Sequence, residues 1–493
     1  MCTMTVMTVS QKTTTKPNIV MILLDDMGYW TLGSHGNHEI LTPNIDALAD
    51  RSLNFKNCYC VSPVCSPARA SLLTGRIPSQ HGVLDWIRNG SIKSDDDRPV
   101  EYLEGMLGFS DVLAGNDYYC GQIGKWHLGH SYMPQKGFSY WTTTPKGSDS
   151  YYGATLYRNG CEETIERYLT DELTDEAIQF VNARSEADRP YYLSLNFTAP
   201  HRPWRRDQHP PEFWDLYDGC NFDTCPDLLR HEWQINNGIY PSEDRTEMVR
   251  GYCTALTAAD AGIGRLLDAI DRLGQTGNTL IILTSDNGMS LGHHGIHGKG
   301  NATYPQNMYD QAVKVPFILS LPGTIENRIS DALISHYDFC PTLLDLLGIN
   351  ETVGDNLPGR SFLPHILGEP DPGREEVVIF DEYGPVRMLR DNRWKFVLRM
   401  GDWPNELFDM DADPDETNNL IDDPEHQELA NRLASKLDHW FVAHVDPVLD
   451  ASRQKVFGRG QLRKIKAAES DAGNFADDWF FQSSGKSDAG PNL

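Results

Sequence analysis

Two apolar runs, residues 18–24 and 279–283, constrain the fold of this chain more than any other feature of it. Both are short and rich in Ile and Leu, so they read as strands buried inside an α/β sheet. The first ends at Asp25, Asp26 and Gly28, the second at Asp286, Asn287 and Gly288. Two buried strands thus deliver carboxylates at their carboxyl ends, where open α/β sheets assemble their sites. Residues 191–195 and 315–319 read as further strands. Met248, Tyr252, Leu256, Ile263, Leu267 and Ile270 recur at helical spacing, as the core-packing stripe of a long helix. Strands and helices alternate at wide, uneven intervals, which predicts a large doubly wound mixed sheet flanked by helices rather than a barrel.

At 493 residues the chain exceeds what one core normally fills, so a second, smaller unit is expected. The character changes after Gly359, where a Pro- and Gly-rich stretch precedes strand-like residues 376–382 and 394–398 and a helix over about 425–441. The reading is a disordered extension over 1–16, a catalytic α/β domain over 17–365, a C-terminal α+β subdomain with an antiparallel sheet over 366–450, and an irregular tail over 451–493. Trp479, Phe480 and Phe481 could anchor part of that tail. A formal charge of −27 repels nucleic acid phosphates and anionic membrane surfaces, so neither is an expected partner. The ten cysteines are scattered without a CxxC pair, which suggests buried thiols rather than a disulfide scaffold or a zinc site. Residues 1–16 lack the apolar core of an export signal, and no run approaches the roughly 20 apolar residues of a membrane span. The chain therefore reads as soluble and cytoplasmic. Its oligomeric state is not legible.

Asp25 and Asp26 would point to opposite faces if their strand continued, so joint use requires a turn there, which Gly28 permits. With Asp286 and Asn287 they form a set of carboxylate and amide oxygens that suits Ca²⁺ or Mg²⁺ better than zinc. Asp-Asp is also an ordinary strand exit and Asp-Asn-Gly an ordinary turn. In the stretch Cys65-Ser66-Pro67-Ala68-Arg69, Ser66 can cap a helix, Pro67 suits its first turn and the residues to Leu73 continue it. Cys65 then sits where free N–H groups and the positive end of the helix dipole favour an anion, and Arg69 can reach back towards it. A buried cysteine before a capped helix, with Arg69 on a solvated face, is the plain structural alternative.

Cys65-x-Pro67-x-Arg69 followed by Leu72-Leu73-Thr74-Gly75 resembles the signature of the type I, formylglycine-dependent sulfatases of the alkaline phosphatase superfamily. Further motifs follow the same order: residues 17–28, Gly124-Lys125-Trp126-His127-Leu128-Gly129, Pro200-His201-Arg202-Pro203, Asp286-Asn287-Gly288, and Gly295 with Lys299. The similarity runs from about residue 17 to about residue 445. It implies that a formylglycine-generating enzyme oxidises Cys65 to formylglycine (3-oxoalanine), whose hydrate attacks sulfur. The resulting sulfated hemiacetal expels sulfate by collapsing to the aldehyde, so no second nucleophile is needed. It also implies one divalent cation, Ca²⁺ ahead of Mg²⁺, held by Asp25, Asp26, Asp286, Asn287 and the modified Cys65.

By the same resemblance Arg69 orients the attacking hydroxyl, and Lys125 and Lys299 face the sulfate oxygens. His201 is then the acid for the departing alcohol, and His127 the base that collapses the hemiacetal. Arg202 and His294 join Lys125, His201 and Lys299 as substrate-binding candidates; His293 is less secure, because many relatives carry an acidic residue there. The loop from His201 to Tyr217, with Arg202, Trp204, Arg205, Arg206, His209, Phe213 and Trp214, suits stacking on sugar rings or, equally, pins itself as a surface insertion. The expected activity is hydrolysis of an aryl or small carbohydrate sulfate to alcohol and inorganic sulfate. The alternatives are a phosphonate or phosphate ester hydrolase of the same superfamily and a non-catalytic binder of sulfated ligands.

Overall fold

The computed structural model describes residues 16–87, 100–235, 244–369, 373–380 and 386–450. The expected extension up to residue 15, the tail 451–493 with Trp479, Phe480 and Phe481, and the end of the strand expected over 376–382 lie outside the described residues.

The strands of the first part are β1 (Asn18–Asp25), β2 (Leu53–Tyr59), β3 (Tyr119–Lys125), β4 (Tyr140–Thr144), β5 (Ala154–Arg158), β6 (Cys161–Ile165), β7 (Tyr191–Pro200), β8 (Thr279–Ser285), β9 (Ser290–Leu291), β10 (His297–Gly298), β11 (Lys314–Ser320) and β12 (Arg328–Ser335). β9 and β10 pair with each other, and the others form one sheet in the order β12-β2-β11-β8-β1-β7-β3-β4-β5-β6. Its centre is parallel: β1 lies between β8 and β7, and β3 between β7 and β4. The strand read over 315–319 runs antiparallel to both its neighbours, β8 and β2, which makes the sheet mixed.

The continuous apolar character of β1 follows from burial on both faces. Ile19, Met21 and Leu23 enter one core with the helices Cys65–Thr74 and His336–Leu346, while Val20, Ile22 and Leu24 enter a second core with Leu169–Arg184 and Arg245–Arg272. The last of these is the helix read from the stripe at 248–270. Among the described residues no helix is long and apolar enough to cross a membrane.

A second antiparallel sheet follows, β13 (Glu376–Phe380), β14 (Val386–Asp391), β15 (Trp394–Arg399) and β16 (Glu406–Asp409), in that order. Val378, Phe380, Leu389 and Phe396 pack against the helix Gln427–His444, whereas Val377, Ile379, Met388 and Val397 belong to the first core of the large sheet. The small sheet is thus a layer between that core and its own helix. A buried ion cluster fastens it. Lys395 Nζ lies 2.9 Å from Asp310 Oδ1 and 2.5 Å from Glu416 Oε1, and Glu416 in turn accepts from the Asp310 amide at 2.7 Å. Removing one partner of a buried pair strands the other charge out of water, at about 3–5 kcal/mol. Lys395→Ala should therefore lower stability to urea by that order, whereas Arg167→Ala, which removes an exposed arginine paired with Glu172 and Asp175 of the helix that follows it, should cost about 0–1 kcal/mol. Equal losses for the two would sink the assignment.

Candidate active site

The parallel strands bring the chemistry to one edge. Asp25 is the last residue of β1, Lys125 the last of β3, His201 follows β7, and Asp286 and Asn287 follow β8. The chain turns at Asp26 itself, whose φ of 65° is left-handed. Gly28 sits at φ −65°, so it is not the pivot that its position suggested. It is small because a Cβ there would lie 2.4 Å from the Trp30 indole nitrogen. A left-handed aspartate costs roughly 1–2 kcal/mol, and the surroundings must hold it. Asp26 N donates to Asp286 Oδ1 at 3.1 Å, Met27 N to Ser285 Oγ at 2.8 Å, and Gly28 N to the Tyr252 hydroxyl at 3.3 Å. That hydroxyl donates back to the Asp26 carbonyl at 2.9 Å.

Cys65 opens the helix Cys65–Thr74. Val64 is the N-cap and offers no side-chain bond; the Ser66 hydroxyl does not cap but accepts from Ile87 N at 3.1 Å. The helix start still faces the carboxylates: ligand atoms of Asp25, Asp26 and Cys65 all lie within 4.8 Å of one another. Lys299 Nζ bridges Cys65 Sγ at 2.7 Å and Asp26 Oδ1 at 2.6 Å, and Lys125 Nζ meets Asp25 Oδ2 at 2.5 Å. Arg69 bonds Asp286 Oδ2 through Nε at 2.8 Å and the Lys125 carbonyl at 2.9 Å, while its buried Nη2 makes no hydrogen bond. It braces the carboxylate opposite rather than Cys65 directly.

Burial is the main force on every pKa here. It pushes Asp25 up to about 7 against the pull of Lys125, and the Cys65 thiol up to about 12 with help from Asp25. Asp26 is also buried, yet Lys299 and then His201 hold it below the usual carboxylate range.

His201 and His127 differ in which nitrogen is free. His201 Nδ1 donates to the Arg202 carbonyl at 2.9 Å and Nε2 lies 3.7 Å from Asp26 Oδ2; burial lowers its pKa to about 3. His127 Nε2 donates to the Ile87 carbonyl at 2.8 Å, leaving a buried Nδ1 with a lone pair and no partner. Burial and Lys125 lower its pKa as well. Gly147 leaves room for the ring, since a Cβ there would meet it at 2.3 Å. Arg202 is close enough for its charge to act on Asp26 and His201. The His294 ring stacks on Tyr309 at 3.8 Å, close enough to Lys395 and His231 for their charges to act on it. His293 packs on Trp30 at 4.6 Å. In the loop after His201, Trp204 and Trp214 are buried, and Trp214 is flanked by Arg206 and Arg250 at 5.2 and 4.9 Å, so these rings pin the loop.

The helix tyrosine and Ser285 were not legible as site residues. Tyr252 falls on an apolar stripe where an aromatic reads as core, and nothing in sequence reports where its hydroxyl points.

The donors fit a hard dication. Asp25, Asp26, Asp286 and Asn287 supply oxygens, and Asn287 Oδ1 is buried without a partner while its Nδ2 bonds Asp26 at 2.7 Å. Three carboxylates against Arg69, Lys125 and Lys299 are balanced, so a dication makes the site net positive and receptive to an anion.

A buried set of hard oxygens, a cysteine at a helix start and the cationic groups around them thus meet at the carboxyl edge of a doubly wound sheet, where such sheets assemble their sites. The Sulfatase family model matches residues 17–349, and the model of the N-sulphoglucosamine sulphohydrolase C-terminal region matches 292–442. The chain belongs to the sulfatase family and is a sulfuric ester hydrolase. It is 30% identical over 446 residues to an ulvan-active sulfatase of Formosa agariphila, covering 86% of this chain and 81% of that one. It is 29% identical to a choline-sulfatase of Rhizobium meliloti, with 90% of each chain covered. Among solved structures, one in complex with its substrate D-glucosamine-2-N,6-O-disulfate superposes with a TM-score of 0.75 at 24% identity, over 89% of this chain and 100% of that one; it supports the fold. The family generally uses a metal and a formylglycine.

A cation that binds only the folded chain stabilises it by about 2.7 kcal/mol at a hundred times its Kd. Titrating Ca²⁺, and separately Mg²⁺, should raise the melting temperature progressively, and Asn287→Leu should abolish the rise. A melting temperature indifferent to both ions would exclude the site.

Proposed function

We propose that the chain hydrolyses an aryl or small carbohydrate sulfate to the alcohol and inorganic sulfate, using formylglycine made from Cys65 and a Ca²⁺ ion, with Mg²⁺ the second candidate. The observation that carries this reading is the placement of Cys65 at a helix start, within the same 4.8 Å cluster as Asp25 and Asp26 and against Lys299. A formylglycine-generating enzyme would be the maturation partner.

The cation, held by Asp25, Asp26, Asp286 and Asn287, would supply Lewis acidity towards a sulfate oxygen. The formylglycine hydrate would supply the attacking hydroxyl. Arg69 keeps Asp286 in place and presents Nη2, which makes no hydrogen bond and lies 3.8 Å from Asp25 Oδ1. Lys125 and Lys299 offer ammonium donors to the sulfate oxygens, where charge builds in the transition state. His201 must carry a proton on both nitrogens to donate to the leaving oxygen. Asp26 favours that form against burial, and an anion in the site adds to it. His127 presents Nδ1 as the proton acceptor. The carbohydrate reading is supported by the sulfated-sugar activity in the names of similar proteins, such as an N-acetylglucosamine-6-O-sulfatase of Bacteroides thetaiotaomicron, 26% identical over 535 residues.

The direct test is the mass of the Cys65 peptide from chain produced with a formylglycine-generating enzyme. Sulfur should be replaced by aldehyde or hydrate, and sulfate esters should turn over faster than matched phosphonates. A persistent thiol together with undiminished turnover would overturn the nucleophile. The acid assignment predicts a leaving-group effect. His201→Ala should slow an alkyl or sugar sulfate by about 10²–10⁴-fold and 4-nitrophenyl sulfate far less, because a nitrophenolate departs without protonation. Equal losses on both would remove His201 from that role.

A further inference from the structure

We infer that Tyr252 is a positioning residue for the cation, acting through the backbone of Asp26. Its hydroxyl grips the turn from both sides, donating to the Asp26 carbonyl at 2.9 Å and accepting from Gly28 N at 3.3 Å. Asp26 holds a left-handed backbone, φ 65°, that an L-aspartate adopts only when its surroundings impose it. Asp286 holds the Asp26 N–H and Ser285 the N–H of the Asp26–Met27 peptide; Tyr252 holds the carbonyl of that peptide and links it to the N–H of the next one.

The hydroxyl is itself fixed. Tyr252 is fully buried on the rigid helix Arg245–Arg272, stacked on Trp30 at 6.3 Å and edge-on to Trp204 at 5.9 Å. Trp30 is in turn held by its indole N–H, which donates to the Met289 carbonyl at 2.8 Å, just beyond Asn287. The brace therefore ties the β1 turn to the segment carrying the β8 ligands. Releasing it lets the turn relax away from φ 65° and carries the Asp26 carboxylate out of line with Asp25 and Asn287. Groups that orient metal ligands from behind typically change affinity 10–100-fold when removed.

Tyr252→Phe keeps the ring and its packing and deletes only the hydroxyl. In the full chain, Ca²⁺ and Mg²⁺ affinities measured by calorimetry should fall 10–100-fold relative to wild type. The cation concentration needed for half-maximal turnover of 4-nitrophenyl sulfate should rise in step, with turnover at saturating cation within a few-fold of wild type. Tyr191→Phe, which removes a hydroxyl bonded to Gln275 at the other end of β7, is the control and should leave affinity unchanged. A merely structural role would lower the melting temperature of Tyr252→Phe without moving the cation affinity, and that result overturns the inference. The inference rests on the cation reading of the site: absence of binding by the wild-type chain would overturn both, whereas normal binding by wild type and Tyr252→Phe alike removes Tyr252 alone.

Discussion

The carboxylates of Asp25, Asp26 and Asp286 are all buried in one place, and most of the surrounding structure answers the cost of that. Three like charges out of water repel one another and each has lost its hydration, so none could stay ionised without compensation. Arg69, Lys125 and Lys299 supply it, each with a direct contact to one of the three. The outcome is uneven. Lys299 keeps Asp26 ionised, while Lys125 does not fully offset the burial of Asp25. A dication among these oxygens would take over part of the lysines' task and free their ammonium groups to face an anionic ester. The same cations that make the carboxylates tolerable are thus the ones a sulfate would meet.

The sheet makes that concentration of charge possible. Parallel neighbours β8, β1, β7 and β3 end at the same edge, so residues far apart in the chain arrive together: Asp26 and Asp286 are 260 residues apart and linked by a 3.1 Å bond. β1 is buried along its whole length, Asp25 included, and Asp26 just beyond it is buried too, so both carboxylates are desolvated by the fold itself. The small antiparallel sheet adds to this. One of its faces completes the first core, so its placement and that of the large sheet are set by the same packing.

What was legible in sequence divides along physical lines. Buried strands announce themselves by continuous apolar character, and carboxylates at their ends by position, so β1, β8 and the acidic residues that end them could be read directly. The start of the helix at Cys65 was readable from Pro67 and its helix-favouring successors, although Ser66 turned out not to cap it. Strand direction was not readable: the run at 315–319 looks like a parallel-sheet strand and runs antiparallel, since hydropathy carries no polarity. Backbone strain was misplaced for a related reason. Glycine is the usual carrier of a left-handed turn, so Gly28 drew the expectation, while the strain sits on Asp26 and is sustained by Tyr252 and Ser285 from remote segments.

The thiol encoded at position 65 is poorly suited to act as a nucleophile or as a ligand of a hard cation, for two independent reasons. Burial, reinforced by Asp25, pushes it up to about 12, so at neutral pH it holds its proton and is a weak nucleophile. Sulfur is also a soft ligand beside a set of hard carboxylate and amide oxygens that suits Ca²⁺ or Mg²⁺. An aldehyde hydrate at the same place would remove both mismatches at once: its oxygens would match the hard donors Asp25 and Asp26 beside it. The burial and the carboxylate that hold the Cys65 sulfur protonated are therefore the physical ground for proposing an oxygen nucleophile in its place.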